Sequence, residues 1–139
     1  MQKEVASKPE KSEGVANKPG KKGLARLIAA ARYSSEGLAA AWRNEEAFRM
    51  EIILVIFIIP LAIWVGDTPA ERAILIAVSL VVLPLELINS AIEATVDRIG
   101  PEKHPLAKIA KDTGSAAVAV ALISWLIVWG CIVIPKLPI

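Results

Sequence analysis

The sequence predicts an all-α membrane protein: an N-terminal amphipathic surface helix followed by three transmembrane helices. Three observations carry that expectation. Hydrophobic residues make up 55% of the 139-residue chain, and its mean hydropathy is +0.52, too apolar for an ordinary soluble domain of this size. Three long apolar stretches follow one another, divided by short polar segments. Lys and Arg are concentrated on alternate sides of those stretches, as in multi-pass membrane proteins.

Residues 1–22 are rich in Lys, Glu, Ser, Pro and Gly. They predict a disordered polar tail, with the three-span domain occupying 23–139. VASKPEK (residues 5–11) and VANKPGK (residues 15–21) look like a duplication within low-complexity sequence. The tail lacks the apolar centre of a signal peptide, so no cleavage is expected.

From Gly23 the pattern turns helical. Leu24, Leu27, Ile28, Ala31, Leu38 and Trp42 recur at helical spacing, with Arg26, Arg32 and Arg43 among them. An apolar stripe beside arginines suits a helix lying in the membrane interface. YSSEG, residues 33–37, is a place where this helix is expected to break or bend.

The first apolar stretch, residues 52–66, reaches membrane length only if its helix starts near Ala47 and takes in Arg49 and Glu51. Pro60 predicts a tolerated kink. GDTPAER, residues 66–72, ends that span. The second starts near Ala73 and runs into ELINSAIEATVDRIG, residues 86–100; GPEKHP, residues 100–105, stops it. The third, residues 114–135, carries no charge and crosses on its own. Trp42, Trp64, Trp125 and Trp129 lie near span ends, where an aromatic belt belongs. The single cysteine, Cys131, reads as a small buried hydrophobe.

Ten Lys and Arg precede the first span, one (Arg72) lies in the first loop, four surround the second loop, and one (Lys136) follows the third span. The positive-inside rule places the N-terminus and second loop in the cytoplasm and the C-terminus outside. The net charge of +2 is small, and no nucleic-acid partner is expected.

The chemistry concentrates in the second span. Glu86, Asn89, Glu93 and Asp97 fall at about 0°, 300°, 340° and 20° around a helix, one polar stripe climbing toward the cytoplasm. Ser90 lies beside it. A carboxylate in hydrocarbon costs roughly 2.5–3.5 kcal/mol on the most lenient scale, so these groups must face partners, a cation or water. NEEAFRME, residues 44–51, brings acids and a base to the start of the first span. In KIAKDTGS, residues 108–115, Lys108, Lys111, Asp112 and Ser115 share one face at the start of the third. Two carboxylates and an amide suit a hard divalent ion such as Mg²⁺. Neighbouring Lys and Arg suit phosphates, and together these are the parts of phosphoryl transfer. No Walker loop or kinase glycine loop is present. The lone His104 excludes a histidine metal cluster. Pattern alone leaves open a polar network that holds the bundle together and an ion or proton pathway in a small transporter.

ELINSAIEATVDRIG followed by HPLAKIAKDTGSAAV resembles the small prokaryotic integral-membrane diacylglycerol kinases. NEEAFRME resembles their first acidic motif and ARYSSEGLAAAW their surface-helix segment. The likeness runs from about Leu24 to the end of the third span. It implies a homotrimer with active sites between subunits, transferring the γ-phosphate of MgATP to a lipid hydroxyl at the cytoplasmic face of the bacterial inner membrane. Carried over residue by residue, it implies Glu86 as proton acceptor, with Glu45 and Glu93 holding Mg²⁺ and Asn89 supporting phosphates and metal. Arg26, Tyr33, Glu102, Lys103, His104, Lys111 and Asp112 match nucleotide contacts, to which Glu45, Asn89 and Glu93 also belong. Arg26, Ser34, Glu51, Glu86 and Ser115 match the lipid site. Ser35 and Glu36 depart from a relative that has an aromatic and a basic residue there. Undecaprenol kinases share the motifs, while VDRIG and DTGSAAV look closer to the diacylglycerol branch. The physical reading agrees with these implied roles: a lipid hydroxyl held in the bilayer and ATP held out of it can meet only at the cytoplasmic boundary. Glu86 is the deepest acid on the stripe, where desolvation suits a base working near neutral pH.

Overall fold

The computed structural model describes residues 23–138. The expected tail, residues 1–22, lies outside them, as does Ile139. The chain divides into two compact units, the first ending at Ser34 and the second starting at Ser35.

Helix α1 spans Leu24–Asn44. Gly23 starts it in the left-handed region at φ 61°, and its carbonyl accepts from the Arg26 N–H at 3.1 Å. The break expected at residues 33–37 is absent: α1 is continuous there. A helical glycine costs only about 1 kcal/mol relative to alanine, and Gly37 sits in open space with no packing demand on it.

In the second unit α2 covers Glu46–Val65, one residue earlier than the start near Ala47 that the sequence predicts, and Pro60 leaves it uninterrupted. Thr68 caps α3 (Pro69–Leu80): its Oγ1 accepts from the Glu71 N–H at 3.2 Å, with Pro69 in the first turn. α4 is Val82–Ile99. Val81 between them keeps right-handed helical angles (φ −67°, ψ −20°), so α3 and α4 form one 31-residue span, Pro69–Ile99. The irregularity has a local cause. Pro84 has no N–H to give the Leu80 carbonyl, and its ring crowds that oxygen. Gly100, at φ 153°, ends α4. His104 then caps α5 (Pro105–Val133), which closes with a 3-10 turn at Ile134–Lys136.

Among the described residues, three helices are long and apolar enough to cross a membrane: Glu46–Val65, Pro69–Ile99 and Pro105–Lys136. Large apolar side chains remain open along them, with Phe57 69% and Trp64 81% exposed. That is how a surface facing lipid tails or partner helices looks.

The packed centre is Ala62, Leu75 and Trp129, with Ile58, Ile76, Val78 and Trp125 against it. Trp125 and Trp129 do not both turn outward as a belt. Their indole N–H groups donate to buried Ser79 Oγ at 2.8 and 3.2 Å, and Ser79 donates to the Leu75 carbonyl at 2.7 Å. Cys131, expected to be buried, is exposed on α5. At the opposite end from the polar stripe, Lys136 meets Asp67 at 2.8 Å, Glu71 at 2.6 Å and the Val65 carbonyl at 2.9 Å. It ties the end of α5 to the α2–α3 turn.

Candidate active site

The polar stripe is built as its spacing predicts. Glu86 is 6% exposed and Asn89 9%. Glu93 is half-buried and Asp97 exposed, so accessibility rises steadily along α4 toward its C-terminus. Asn89 Nδ2 donates to Glu93 Oε1 at 3.3 Å, one turn further on. Glu86 lies within electrostatic reach of Glu45 and Glu93, and Glu51 within reach of Glu86. Four carboxylates from α2, α4 and the α1–α2 corner thus share one electrostatic neighbourhood centred on Glu86.

Glu45 owes its place to that corner. It is the residue between α1 and α2: its N–H donates to the Ala41 carbonyl at 2.8 Å, and its carbonyl accepts from the Arg49 N–H at 3.3 Å. Arg49 holds the corner by donating to the Trp42 and Arg43 carbonyls at 3.1 and 3.3 Å. These two carbonyls end α1 and need donors from outside it.

α5 brings the cationic side. Lys111 Nζ is 2.7 Å from Asp97 Oδ1 on α4, and Lys108 pairs with Asp112 along α5. Ser115 is exposed. Glu102, Lys103 and His104 stand in the exposed loop before α5. His104 Nδ1 accepts from the Leu106 N–H at 3.2 Å, a capping role that the sequence reading did not assign. Arg26, Tyr33 and Ser34 belong to the first unit, where the Arg32 guanidinium carbon sits 5.3 Å from the Tyr33 ring centre.

Among the described residues, three buried side-chain polar atoms lack a hydrogen-bond partner: Glu51 Oε2, Asn89 Oδ1 and Ser90 Oγ. All three residues lie on the stripe or facing it. Ser90 was read as a bystander. Within the spans, the hydroxyls of Ser79, Thr95, Thr113 and Ser124 each bond the carbonyl four residues back, which Ser90 does not. Buried unpaired polar atoms are rare in folded proteins and mark places where a ligand, an ion or water belongs. Glu51 also lines a cavity of about 120 Å³ that continues past Leu54, Ile58 and Leu83 to Ser79 and Trp125.

Among the described residues no three His, Cys, Asp or Glu side chains are grouped to hold a metal by themselves. That donor set still fits Mg²⁺. This ion is bound by one or two carboxylates and completes its shell with phosphate oxygens and water. Glu45 and Glu93, both within electrostatic reach of Glu86, are the two carboxylates that could serve it.

A family model described as Prokaryotic diacylglycerol kinase matches residues 32–133. A protein named Diacylglycerol kinase from Pseudomonas aeruginosa is 49% identical over 115 residues, covering 83% of this chain and 94% of its own. The Haemophilus influenzae protein of that name is 49% identical over 108 residues, covering 78% and 92%. The Escherichia coli K12 protein is 48% identical over 112 residues, covering 81% and 91%. The matched stretch contains the whole stripe, the α1–α2 corner and the α4–α5 loop; Arg26 precedes it.

Proposed function

The chain belongs to the prokaryotic diacylglycerol kinase family and is an ATP-dependent lipid kinase acting on diacylglycerol; we propose that it works at the cytoplasmic face of the bacterial inner membrane, through the acidic cluster around Glu86. The γ-phosphate passes to the lipid hydroxyl, giving phosphatidic acid and ADP. The observation that carries this placement is the burial of Glu86 and Asn89 at the deep end of a stripe that becomes accessible toward Asp97.

Glu86 takes the proton of the lipid hydroxyl as the new O–P bond forms and the bond to ADP breaks. A carboxylate screened from water is a stronger base than one in bulk solvent. Glu45 and Glu93 would hold Mg²⁺, which neutralises phosphate charge when bound. Asn89 orients Glu93. Lys111, Glu102, Lys103, His104 and Asp112 form the nucleotide side, and Glu51 and Ser115 the lipid side; the apolar cavity beside Glu51 suits the first part of an acyl chain. For Arg26 and Tyr33 as nucleotide contacts, and Arg26 and Ser34 as lipid contacts, the support is the family resemblance alone. α1 lies on the membrane surface, three subunits assemble as a homotrimer, and the C-terminus is outside.

The test gives purified protein labelled ATP with diacylglycerol and, separately, undecaprenol. Label in phosphatidic acid supports the reading. Label confined to undecaprenyl phosphate moves the substrate to the polyprenol branch. No labelled lipid, with proton-driven export in vesicles, would return the site to a transport pathway. Orientation is read by a reporter active only in the cytoplasm. It should be silent after Ile139 and active near Lys103; the reverse pattern would put the stripe on the side without ATP.

A further inference from the structure

Gly114 is buried where α5 packs on α4. A Cβ on it would lie 2.6 Å from Asn89 Oδ1, and 3.5 Å from both Asn89 Cγ and Ile92 Cδ1. Real Cβ atoms do not approach an amide oxygen at 2.6 Å, so a side chain here displaces either the Asn89 amide or the helix. The same amide gives its Nδ2 hydrogen to Glu93. Turning the amide over is no escape. Its Nδ2 would then take the crowded place, and Oδ1 would face the Glu93 carboxylate.

We propose that Gly114 is a positioning residue of the kinase site: by having no side chain it lets α5 close against Asn89, fixing that amide in the rotation that donates to Glu93. The inference rests on the phosphoryl-transfer reading above and assigns a role to a residue that touches neither substrate. An isolated glycine inside a span weakens the helix relative to alanine. In DTGSAAV, where Ser115 and then two alanines follow, the helix alone would favour alanine at Gly114; the close approach to Asn89 accounts for the exception.

The experiment is a double-variant cycle of Gly114→Ala and Asn89→Ala in the full chain, purified in detergent. Gly114→Ala alone should lower kcat roughly tenfold or more, since a misplacement near 1 Å costs up to about 10²-fold. KM for diacylglycerol should stay near wild type, because the disturbed pair lies at the phosphate end. Gly114→Ala should also lower the thermal midpoint in the wild-type background. With Asn89→Ala the crowding is gone, so adding Gly114→Ala should leave the midpoint unchanged or raise it and cost no further activity. Wild-type kcat in Gly114→Ala would overturn the proposal, as would an equal loss of midpoint in both backgrounds. If Gly114→Ala does not fold, a folded double variant keeps the proposal and an unfolded one sinks it. The midpoints need no turnover, so a wild-type protein that labels no lipid would defeat the kinase reading while leaving the Asn89 contact separately measured.

Discussion

Lys111 Nζ stands 2.7 Å from Asp97 Oδ1, joining α5 to α4 at the accessible end of the stripe. Asp97 is largely exposed while Lys111 is about two-thirds covered. Exposed ion pairs contribute little to stability, so the pair's consequence is where it points the ammonium. Lys111 is expected to reach phosphate, and Asp97 to keep it at the mouth of the site. Lys111→Met should raise KM for ATP roughly tenfold or more, the scale of a lost charge-assisted bond to phosphate. Asp97→Asn should change it by no more than about threefold, since the lysine stays charged and nearby. Steady-state kinetics with varied ATP decides. Equal losses in both variants would mean that the ion pair itself, rather than the lysine's contact with nucleotide, is what turnover needs.

Metal dependence separates the two outer carboxylates from the deep one. Glu93→Gln and Glu45→Gln remove charge while keeping shape, so each should abolish most turnover in a protein that still folds. Chelation with EDTA should stop the wild-type enzyme, and added Mg²⁺ should restore it. Near-normal activity in either variant at saturating Mg²⁺ would remove that residue from the metal site. Loss of the folded protein would make the cluster a bundle-holding network instead.

Ser79, about two turns deeper than Glu86, tests the packing at the far end of the cavity that starts at Glu51. Its hydroxyl accepts from both Trp125 and Trp129 and donates to Leu75. Ser79→Ala leaves two indole N–H groups without that partner in an apolar interior. It should destabilise the fold by about 1 kcal/mol, between the modest bonds measured inside membranes and the full cost of orphaned donors. At permissive temperature and saturating diacylglycerol, kcat should stay within about twofold, because no reacting group is touched, and any change should fall on KM for the lipid, whose proposed cavity Ser79 lines. Reversible unfolding in mixed detergent, followed by tryptophan fluorescence, reads the first effect. An unchanged midpoint would show that the indoles find other acceptors.

Most of the fold was legible because the membrane restricts the choices. Length, apolarity and the Lys and Arg layout leave few arrangements for this chain, and spans come out close to their predicted places. The stripe was legible for the same reason: Glu86 and Asn89 have no cause to sit in an apolar run unless they face inward. What escaped is what periodicity cannot carry. The break expected at residues 33–37 did not form, because glycine and serine only weaken a helix, whereas Pro84, lacking an N–H, does interrupt one at Val81. Trp125 and Trp129 looked like belt residues until Ser79, two spans' length away in sequence, supplied an acceptor for both. The sequence placed Ser90 beside the stripe and drew nothing from Gly114, because what these two residues do lies in a missing bond and in distances to another helix.

Glu86→Gln is the sharpest test of the mechanism. Glu86 is almost fully buried at 6% exposure, one turn deeper than Asn89 and two turns deeper than Glu93. A base is required for the lipid hydroxyl and not for holding ATP, so its loss should separate chemistry from nucleotide binding. Glutamine keeps the size and loses the proton-accepting carboxylate. Glu86→Gln should therefore leave MgATP affinity within about threefold of wild type and lower kcat by about 10²-fold or more, the usual range for losing general-base help. Removing one of the neighbouring negative charges from Glu45 and Glu93 also lessens repulsion, which argues against any loss of fold. Nucleotide binding is read by fluorescent ATP-analogue titration and kcat by the labelled-lipid assay. If Glu86→Gln weakens nucleotide binding as much as Glu93→Gln does, Glu86 belongs to the metal and phosphate cluster. The proton acceptor must then be Glu51, whose buried Oε2 has no partner, or Asp97 nearer water. Glu51→Gln and Asp97→Asn, assayed in the same way, distinguish those two.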